Sequence, residues 1–168
     1  RDNDREAMSQ DLVRKLAPVL KPPGTWATFL PKADEPDVTS LAQFCPNSHW
    51  VYPVIDGSSL RFYAAEADFR ANAFGIREPN PQSSTEVDLQ SIDGMVIPGI
   101  AFSRKGERLG RGKGFYDRTL QEFSGVRIGV AFSIQLIDEL PTEPLDQSVN
   151  YVVTELSVTG PFSGRKDF

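Results

Sequence analysis

Hydrophobic positions along this chain follow two spacings, one typical of helices and one typical of buried strands. Residues 4–20 carry apolar side chains three to five positions apart, which predicts a helix that ends at Pro22-Pro23-Gly24. Short apolar runs predict strands over 26–30, 93–97, 127–132 and 151–154. Because strands alternate with helices, we expect an α/β fold with a mainly parallel sheet.

The remaining pattern is weaker. Apolar runs at 50–55 and 60–64 flank a turn at 56–59, which predicts a hairpin. Further helices are predicted over 38–44, 115–123 and 134–140. Asp37 is a candidate N-cap for the first of these. Residues 70–91, rich in Pro, Asn, Ser and Gln, have no clear period and predict a long irregular connection. We expect residues 1–168 to form a single domain.

Charge and cysteine content exclude several classes of function. The 18 Lys and Arg residues against 23 Asp and Glu give a net charge of −5, which argues against general nucleic-acid binding. The single cysteine, Cys45, excludes an intramolecular disulfide and is expected to be a small buried residue. No apolar run approaches the ~18 residues of a membrane span, and no signal peptide is visible. We therefore expect a cytoplasmic protein without a membrane partner.

One segment breaks the acidic background. Residues 108–117, here called the glycine loop, read Arg108-Leu-Gly-Arg-Gly-Lys-Gly-Phe-Tyr-Asp117 and alternate glycine with cations. Glycines allow the backbone to approach a ligand closely, and Arg108, Arg111 and Lys113 supply positive charge. A predicted strand precedes the loop and a predicted helix follows it, an arrangement that favours phosphate binding. Asp117 is placed to hold a Mg²⁺ bound to that phosphate.

The loop differs from the common nucleotide motifs. It lacks the GxxxxGK[ST] spacing of a P-loop, and a dinucleotide fold has no need of three cations. Glycines alone would be weak evidence, since they are common in turns and bulges. The cations and the Tyr-Asp pair that follows them make an anion, most naturally a polyphosphate, the predicted occupant.

The loop, with residues 98–107 before it, resembles the signature of the 5-formyltetrahydrofolate cyclo-ligase family, also called methenyltetrahydrofolate synthetases. Three other segments resemble family elements: Phe29-Leu-Pro-Lys-Ala-Asp-Glu35, Phe74-Gly-Ile-Arg-Glu-Pro79 and Asn150-Tyr-Val-Val-Thr-Glu155. The resemblance implies a three-layer Rossmann-like sandwich similar to ribose-5-phosphate isomerase and coenzyme A transferases. It also implies ATP- and Mg²⁺-dependent conversion of 5-formyltetrahydrofolate to 5,10-methenyltetrahydrofolate. We expect the protein to be a monomer.

The resemblance assigns roles to individual residues. Arg111 and Lys113 are implied as catalytic residues. The implied ATP-binding residues are Arg108, Leu109, Gly110, Arg111, Gly112, Lys113, Gly114, Phe115 and Tyr116. The implied folate-binding residues are Leu30, Glu35, Arg111, Gly112, Lys113, Gly114 and Phe115. Asp117 and Asn150 are implied as Mg²⁺ ligands. For Glu35, a solvated loop acid is the alternative.

Three departures from the family pattern motivate a second hypothesis. Ser103 and Asn150 each stand where the family usually has Asp, and Asp146 either substitutes for the second carboxylate or is a plain loop acid. The Lys/Arg pair that the family uses near its N-terminus falls before Arg1. Arg1 and Arg5 either replace that pair or lie on a solvated helix face. The alternative is a non-catalytic nucleotide- or folate-binding relative, and a third hypothesis is a sugar-phosphate isomerase.

Overall fold

The computed structural model describes residues 2–20, 23–64 and 68–162 of the chain. Its α-helices are α1 Asp2–Leu16, α2 Leu41–Phe44 and α3 Phe115–Leu120, with 3₁₀ turns at Ala17–Val19, Leu89–Ser91 and Ser133–Gln135. Its strands are β1 Thr25–Ala27, β2 His49–Asp56, β3 Ser59–Ala64, β4 Phe69–Ala71, β5 Arg77–Pro79, β6 Glu86–Val87, β7 Gly94–Ile97, β8 Ala101–Ser103, β9 Arg108–Leu109, β10 Val126–Val130, β11 Leu136–Ile137, β12 Tyr151–Val153 and β13 Val158–Thr159.

The main sheet has the strand order β13-β12-β10-β7-β1-β2-β3-β6. Its five central strands, from β12 to β2, pair in parallel, whereas β13, β3 and β6 pair antiparallel at the two edges. The predicted α/β fold with a mainly parallel sheet is confirmed. The predicted hairpin is also confirmed, since β2 and β3 pair from Val51↔Ala64 to Asp56↔Ser59.

Alternating side chains of the central strands enter two apolar clusters, one on each face of the sheet. Trp26 packs in the cluster that contains the buried side of α1, while the next residue, Ala27, packs in the cluster that contains Leu120 of α3. Successive strand residues point to opposite faces, so helices cover both faces of the sheet. All four residues of β7 are buried, as expected of a central strand.

Several predicted elements are corrected. The segment 70–91 contains β5, β6 and a 3₁₀ turn, and β5 pairs with β4 as a separate two-stranded ribbon. The segment 134–140 is a 3₁₀ turn followed by β11, because Leu136 pairs with Phe102 of β8. Asp37 does not cap α2, whose N-cap is Ser40. The Asp37 carboxylate instead accepts hydrogen bonds from the backbone N–H and the hydroxyl of Thr39, at 2.9 and 2.6 Å.

The predicted small buried role of Cys45 is confirmed, and burial raises the pKa of its thiol. Among the described residues, the helices are too short or too polar to cross a membrane.

Candidate anion and folate site

The glycine loop leaves the central strand β7 through a second small sheet. Pro98 and Gly99 follow β7, then β8 and β9 form an antiparallel hairpin in which Phe102 pairs with Arg108. The sequence pattern did not predict this hairpin. Gly112 and Gly114 have φ angles of +89° and +71°, in the left-handed region that favours glycine. Helix α3 has fewer than two turns, so its dipole is weak. Attraction of an anion to this loop would therefore come mainly from the side-chain cations.

Arg108 is the cation at the base of the loop. Its Nε donates to the carbonyl oxygen of Pro98 at 2.8 Å, and its guanidinium lies 5.0 Å from the centre of the Tyr116 ring. Desolvation lowers the pKa of Arg108, and the nearby charges of Asp117 and Glu35 oppose that effect. Burial raises the pKa of Tyr116, so its phenol stays neutral. Arg108 therefore fixes the loop to the end of β7 as well as contributing charge.

Arg111 joins the loop to the segment after β1. One of its guanidinium nitrogens lies 2.9 and 3.0 Å from the two carboxylate oxygens of Asp34 and 3.7 Å from Glu35 Oε2. The hydrogen bond from Arg111 lowers the pKa of Asp34. The Glu35 side chain is only 6% exposed, and its other oxygen accepts the backbone N–H of Lys32 at 2.8 Å. Glu35 is therefore a buried, oriented acid rather than a solvated one.

Lys113 lies under an aromatic residue from a distant segment. Its Nζ is 5.3 Å from the ring centre of Phe74, which meets the Phe115 ring edge-on at 6.2 Å. Phe74 is half exposed at the tip of the β4–β5 ribbon. Within the part of the chain that the structure describes, no carboxylate lies within salt-bridge distance of Lys113. Lys113 is thus the loop cation with its charge available.

Arg118 anchors the other end of the loop. Its guanidinium donates to the carbonyl oxygen of Ser58, in the turn between β2 and β3, and to that of Lys113 at 2.5 Å. It also lies 5.7 Å from the Phe115 ring centre. No sequence pattern predicted the contact of Arg118 with the turn between β2 and β3, or that of Phe74 with the loop, although Phe74 lies in a family-like segment.

The two predicted metal ligands have different surroundings. Asp117 Oδ1 accepts the backbone N–H of Gln147 at 3.2 Å, and Asn150 Oδ1 accepts that of Arg127 at 2.8 Å. In residues 2–20, 23–64 and 68–162, no three His, Cys, Asp or Glu side chains are grouped to hold a metal ion. This donor set does not form a protein cage. Mg²⁺ commonly keeps several waters and binds through one or two carboxylates together with ligand phosphates, a mode in which Asp117 would supply the single carboxylate.

The other departures from the family pattern have local roles. Ser103 is fully buried, and its hydroxyl accepts the backbone N–H groups of Lys105 at 3.2 Å and Glu107 at 3.1 Å. It thereby stabilises the turn between β8 and β9. Arg5 lies 5.8 Å from the ring centre of Phe132, just beyond the carboxyl end of β10. Arg1 lies outside the described residues.

Together, the parallel sheet and the cation-bearing loop that follows its central strand define an α/β protein with a candidate anion-binding site. Residues 7–155 match the 5-formyltetrahydrofolate cyclo-ligase family, and the chain belongs to that family.

Three relatives illustrate the extent of the similarity. The chain is 40% identical to the 5-formyltetrahydrofolate cyclo-ligase of Haemophilus influenzae over 87 residues, which are 50% of this chain and 46% of the relative. The alignment thus spans about half of the relative's length. The NMR structure of Aquifex aeolicus 5,10-methenyltetrahydrofolate synthetase has a TM-score of 0.85 and 31% identity, covering 100% of this chain and 88% of that one. A 5,10-methenyltetrahydrofolate synthetase from Mycoplasma pneumoniae shares the fold, with a TM-score of 0.74 and 24% identity over 92% of this chain and 89% of that one.

Proposed function

We propose that this protein uses ATP to cyclise 5-formyltetrahydrofolate to 5,10-methenyltetrahydrofolate, with release of ADP and phosphate. The observation that carries the proposal is the position of Arg111. This cation belongs to the predicted phosphate-binding loop and lies against Asp34 and Glu35, in the segment predicted to bind folate. One side chain therefore joins the two halves of the site, as a transfer of phosphate from ATP to a folate requires. Membership of the family supports the same activity.

The proposed chemistry suits a site made of cations. A formamide oxygen is a poor leaving group, so the formyl oxygen first attacks the γ-phosphorus of ATP, and the bond to the ADP oxygen breaks. N10 then attacks the activated carbon and gives up its proton, the C–O bond breaks, and the phosphate leaves carrying the former formyl oxygen. Such phosphoryl transfer depends on positioning and on neutralisation of charge rather than on a nucleophilic side chain. In the proposal, Arg111 and Lys113 neutralise the charge that develops on the transferred phosphoryl group.

The other residues of the proposed site bind and orient the two substrates. Arg108 and the backbone N–H groups of the glycine loop bind the ATP phosphates. Leu30 and Glu35 contact the pterin end of the folate, and Glu35 accepts hydrogen bonds from ring N–H groups. Its burial and its hydrogen bond from Lys32 support this role, because both fix the orientation of the carboxylate, whose other oxygen, Oε2, lies 3.7 Å from Arg111. Phe115 contacts the folate from the loop side.

Magnesium would enter this site with the nucleotide. Asp117 and the amide oxygen of Asn150 would be its protein ligands, and the ion would offset phosphate charge. Because Asn150 brings no charge and already accepts a hydrogen bond from Arg127, we expect weaker metal binding than two carboxylates would give.

The proposal extends to the whole protein: a single-domain, cytoplasmic monomer with a sandwich related to ribose-5-phosphate isomerase and coenzyme A transferases. The alternative is a relative that binds nucleotide or folate without turnover, and the neutral residues Ser103 and Asn150 favour it.

An absorbance assay at the methenyl-folate band separates these two functions. The full-length natural protein is mixed with 5-formyltetrahydrofolate and Mg²⁺, with and without ATP. Growth of the band only with ATP is expected. Absence of any ATP-dependent signal, with calorimetric binding of ADP or 5-formyltetrahydrofolate retained, would establish the non-catalytic alternative. Absence of both turnover and binding would overturn the proposal altogether.

A further inference from the structure

A buried carboxylate lies outside the site described above, at the base of the β4–β5 ribbon. The Glu78 side chain is 4% exposed. Its Oε2 accepts the backbone N–H of Ile55 at 3.2 Å and the side-chain amide of Asn72 at 3.1 Å, and its Oε1 lies 3.4 Å from the Arg70 guanidinium. Burial of a charge is costly unless it is paired and hydrogen-bonded. Glu78 therefore binds the ribbon to strand β2 of the main sheet.

Asn72 extends this connection to the tip of the ribbon. Its amide nitrogen donates to Glu78, while its carbonyl oxygen Oδ1 accepts the backbone N–H groups of Phe74 at 2.9 Å and Ile76 at 3.1 Å. Gly75 completes the turn with a φ of +72°. A continuous series of hydrogen bonds thus runs from the Ile55 N–H in the main sheet to the backbone of Phe74.

The tip of the ribbon touches the glycine loop through the Phe74 side chain. The Phe74 ring contacts Phe115 and lies over the Lys113 ammonium group. Both loop residues are proposed folate contacts, and Lys113 is also a proposed catalytic residue. A shift of the tip would remove one wall of the site and leave Lys113 without its aromatic partner.

We propose that Glu78 is a positioning residue, which acts through Asn72 to hold Phe74 against the glycine loop and thereby sets the affinity for the folate. The inference rests on the proposed function for its kinetic consequence. Its structural content, that Glu78 orders residues 72–76, is independent of turnover. A residue needed only for stability would lower the melting temperature without changing the two Michaelis constants differently.

The test compares Glu78→Ala, Glu78→Gln and Asn72→Ala with Phe74→Ala and the double variant E78A/F74A. The matched control is Glu86→Ala, which removes an exposed carboxylate from strand β6 at the edge of the main sheet. KM for 5-formyltetrahydrofolate, KM for ATP and kcat are measured. Exchange of the Phe74 and Ile76 amide protons is followed by NMR.

E78A and N72A are expected to raise KM for the folate about tenfold, since each breaks the hydrogen-bond series. KM for ATP should rise by no more than about twofold, because the described contacts of Arg108, Arg111 and the backbone of the glycine loop do not involve the ribbon. Both should accelerate exchange of the Phe74 and Ile76 amides. E78Q keeps an oxygen for Ile55 and Asn72 and should restore most of the lost affinity. E78A/F74A should be no worse than F74A, because Glu78 acts through Phe74. The control should match the unsubstituted protein.

Equal rises in both KM values, additive effects in E78A/F74A, or unchanged exchange of the Phe74 and Ile76 amides in E78A would overturn the assignment. If E78A fails to fold, N72A and E78Q decide it. If the unsubstituted protein shows no turnover, the proposed function fails. The exchange measurement then still decides whether Glu78 orders the tip.

Discussion

Arg111 and Asp34, 77 positions apart in the chain, form an ion pair in which one guanidinium nitrogen contacts both carboxylate oxygens. Without ligand, Asp34 is therefore paired with Arg111, the cation on which the proposed mechanism depends most. An incoming phosphate must therefore compete with Asp34 for Arg111. Asp34 is 65% exposed and so holds the cation only weakly.

Replacement of Asp34 by Asn should tighten binding of ATP. Exposed ion pairs contribute about 0.2–1 kcal/mol, so release of Arg111 should lower the dissociation constant by up to about fivefold. Calorimetry at low salt measures the change. Asp56→Asn is the control, because it breaks a similar exposed pair with Arg61, at 2.9 Å. Weaker ATP binding in D34N would indicate that Asp34 supports the site rather than competing with it.

The same pair predicts a pH dependence. The pKa of Asp34 is lowered by its hydrogen bond from Arg111, so the pair is fully present above the ordinary pKa of about 3.9 and is lost as pH falls through the lowered value. The difference in ATP affinity between D34N and the unsubstituted protein should therefore stay constant from about pH 5 to pH 8. A difference that disappears between pH 6 and pH 7 would require another titrating group.

Lys113→Ala should abolish turnover and leave the fold intact. Loss of a cation aimed at developing charge costs about 10²- to 10³-fold in rate, whereas an exposed loop side chain contributes little to the core. The methenyl-folate assay gives the rate, and thermal unfolding checks the fold. Lys105→Ala is the control. It removes an exposed lysine of the turn between β8 and β9, which pairs with Glu139 at 2.8 Å. Normal turnover by K113A would exclude its proposed contact with phosphate.

Asn150→Asp should tighten the binding of Mg²⁺ to the proposed metal site. An Asp at this position keeps an oxygen to accept the Arg127 N–H and adds a negative charge for Mg²⁺. The Mg²⁺ concentration that gives half-maximal turnover should fall roughly threefold or more. Asn47→Asp, which adds the same charge at an exposed position before β2, should leave it unchanged. Equal Mg²⁺ curves for N150D and the natural protein would remove Asn150 from the metal site.

Gly129→Ala should destabilise the protein, because β8 packs against β10 at this glycine. A Cβ at residue 129 would lie 2.3 Å from the buried Phe102 ring, and such overpacking costs about 1–3 kcal/mol. Urea unfolding measures the loss. The double variant F102L/G129A should lose less free energy of unfolding than the sum of the two single variants. Strict additivity would place the damage somewhere other than at the Phe102 ring.

The sequence predicted the central strands well, because strands buried on both faces have continuous apolar runs. Residues 93–97 are such a run, and β7 occupies nearly the same positions. Prediction failed where pairing partners are distant in the chain. Residues 134–140 have helical spacing, yet Leu136 pairs with Phe102 in β8 and Ile134 is 87% exposed. Local spacing carries no information about such a partner.

The candidate site was predicted to the same extent. Alternating glycines and cations in one short run predicted an anion-binding loop, and the structure brings Arg111 of that run to Asp34 and Glu35. The side chains that face its cations, Asp34 and Phe74, come from segments far from the loop, and although both segments resemble family elements, no pattern in the sequence predicted these two contacts. Glu78 lies in the family-like segment 74–79, but only the fold shows that this acid is buried at the base of the ribbon.

The β4–β5 ribbon that carries Phe74 and the glycine loop are separate segments of the chain, so the sequence of one can change while that of the other stays the same. The ribbon meets the loop through ring contacts and a cation, so its tip can change length or side chain without disturbing the turn that carries the glycines. Descendants of this fold could thus acquire a different organic substrate by insertion at residues 72–76. The contacts of Arg108 and Arg111, which do not involve the ribbon, would be inherited unaltered.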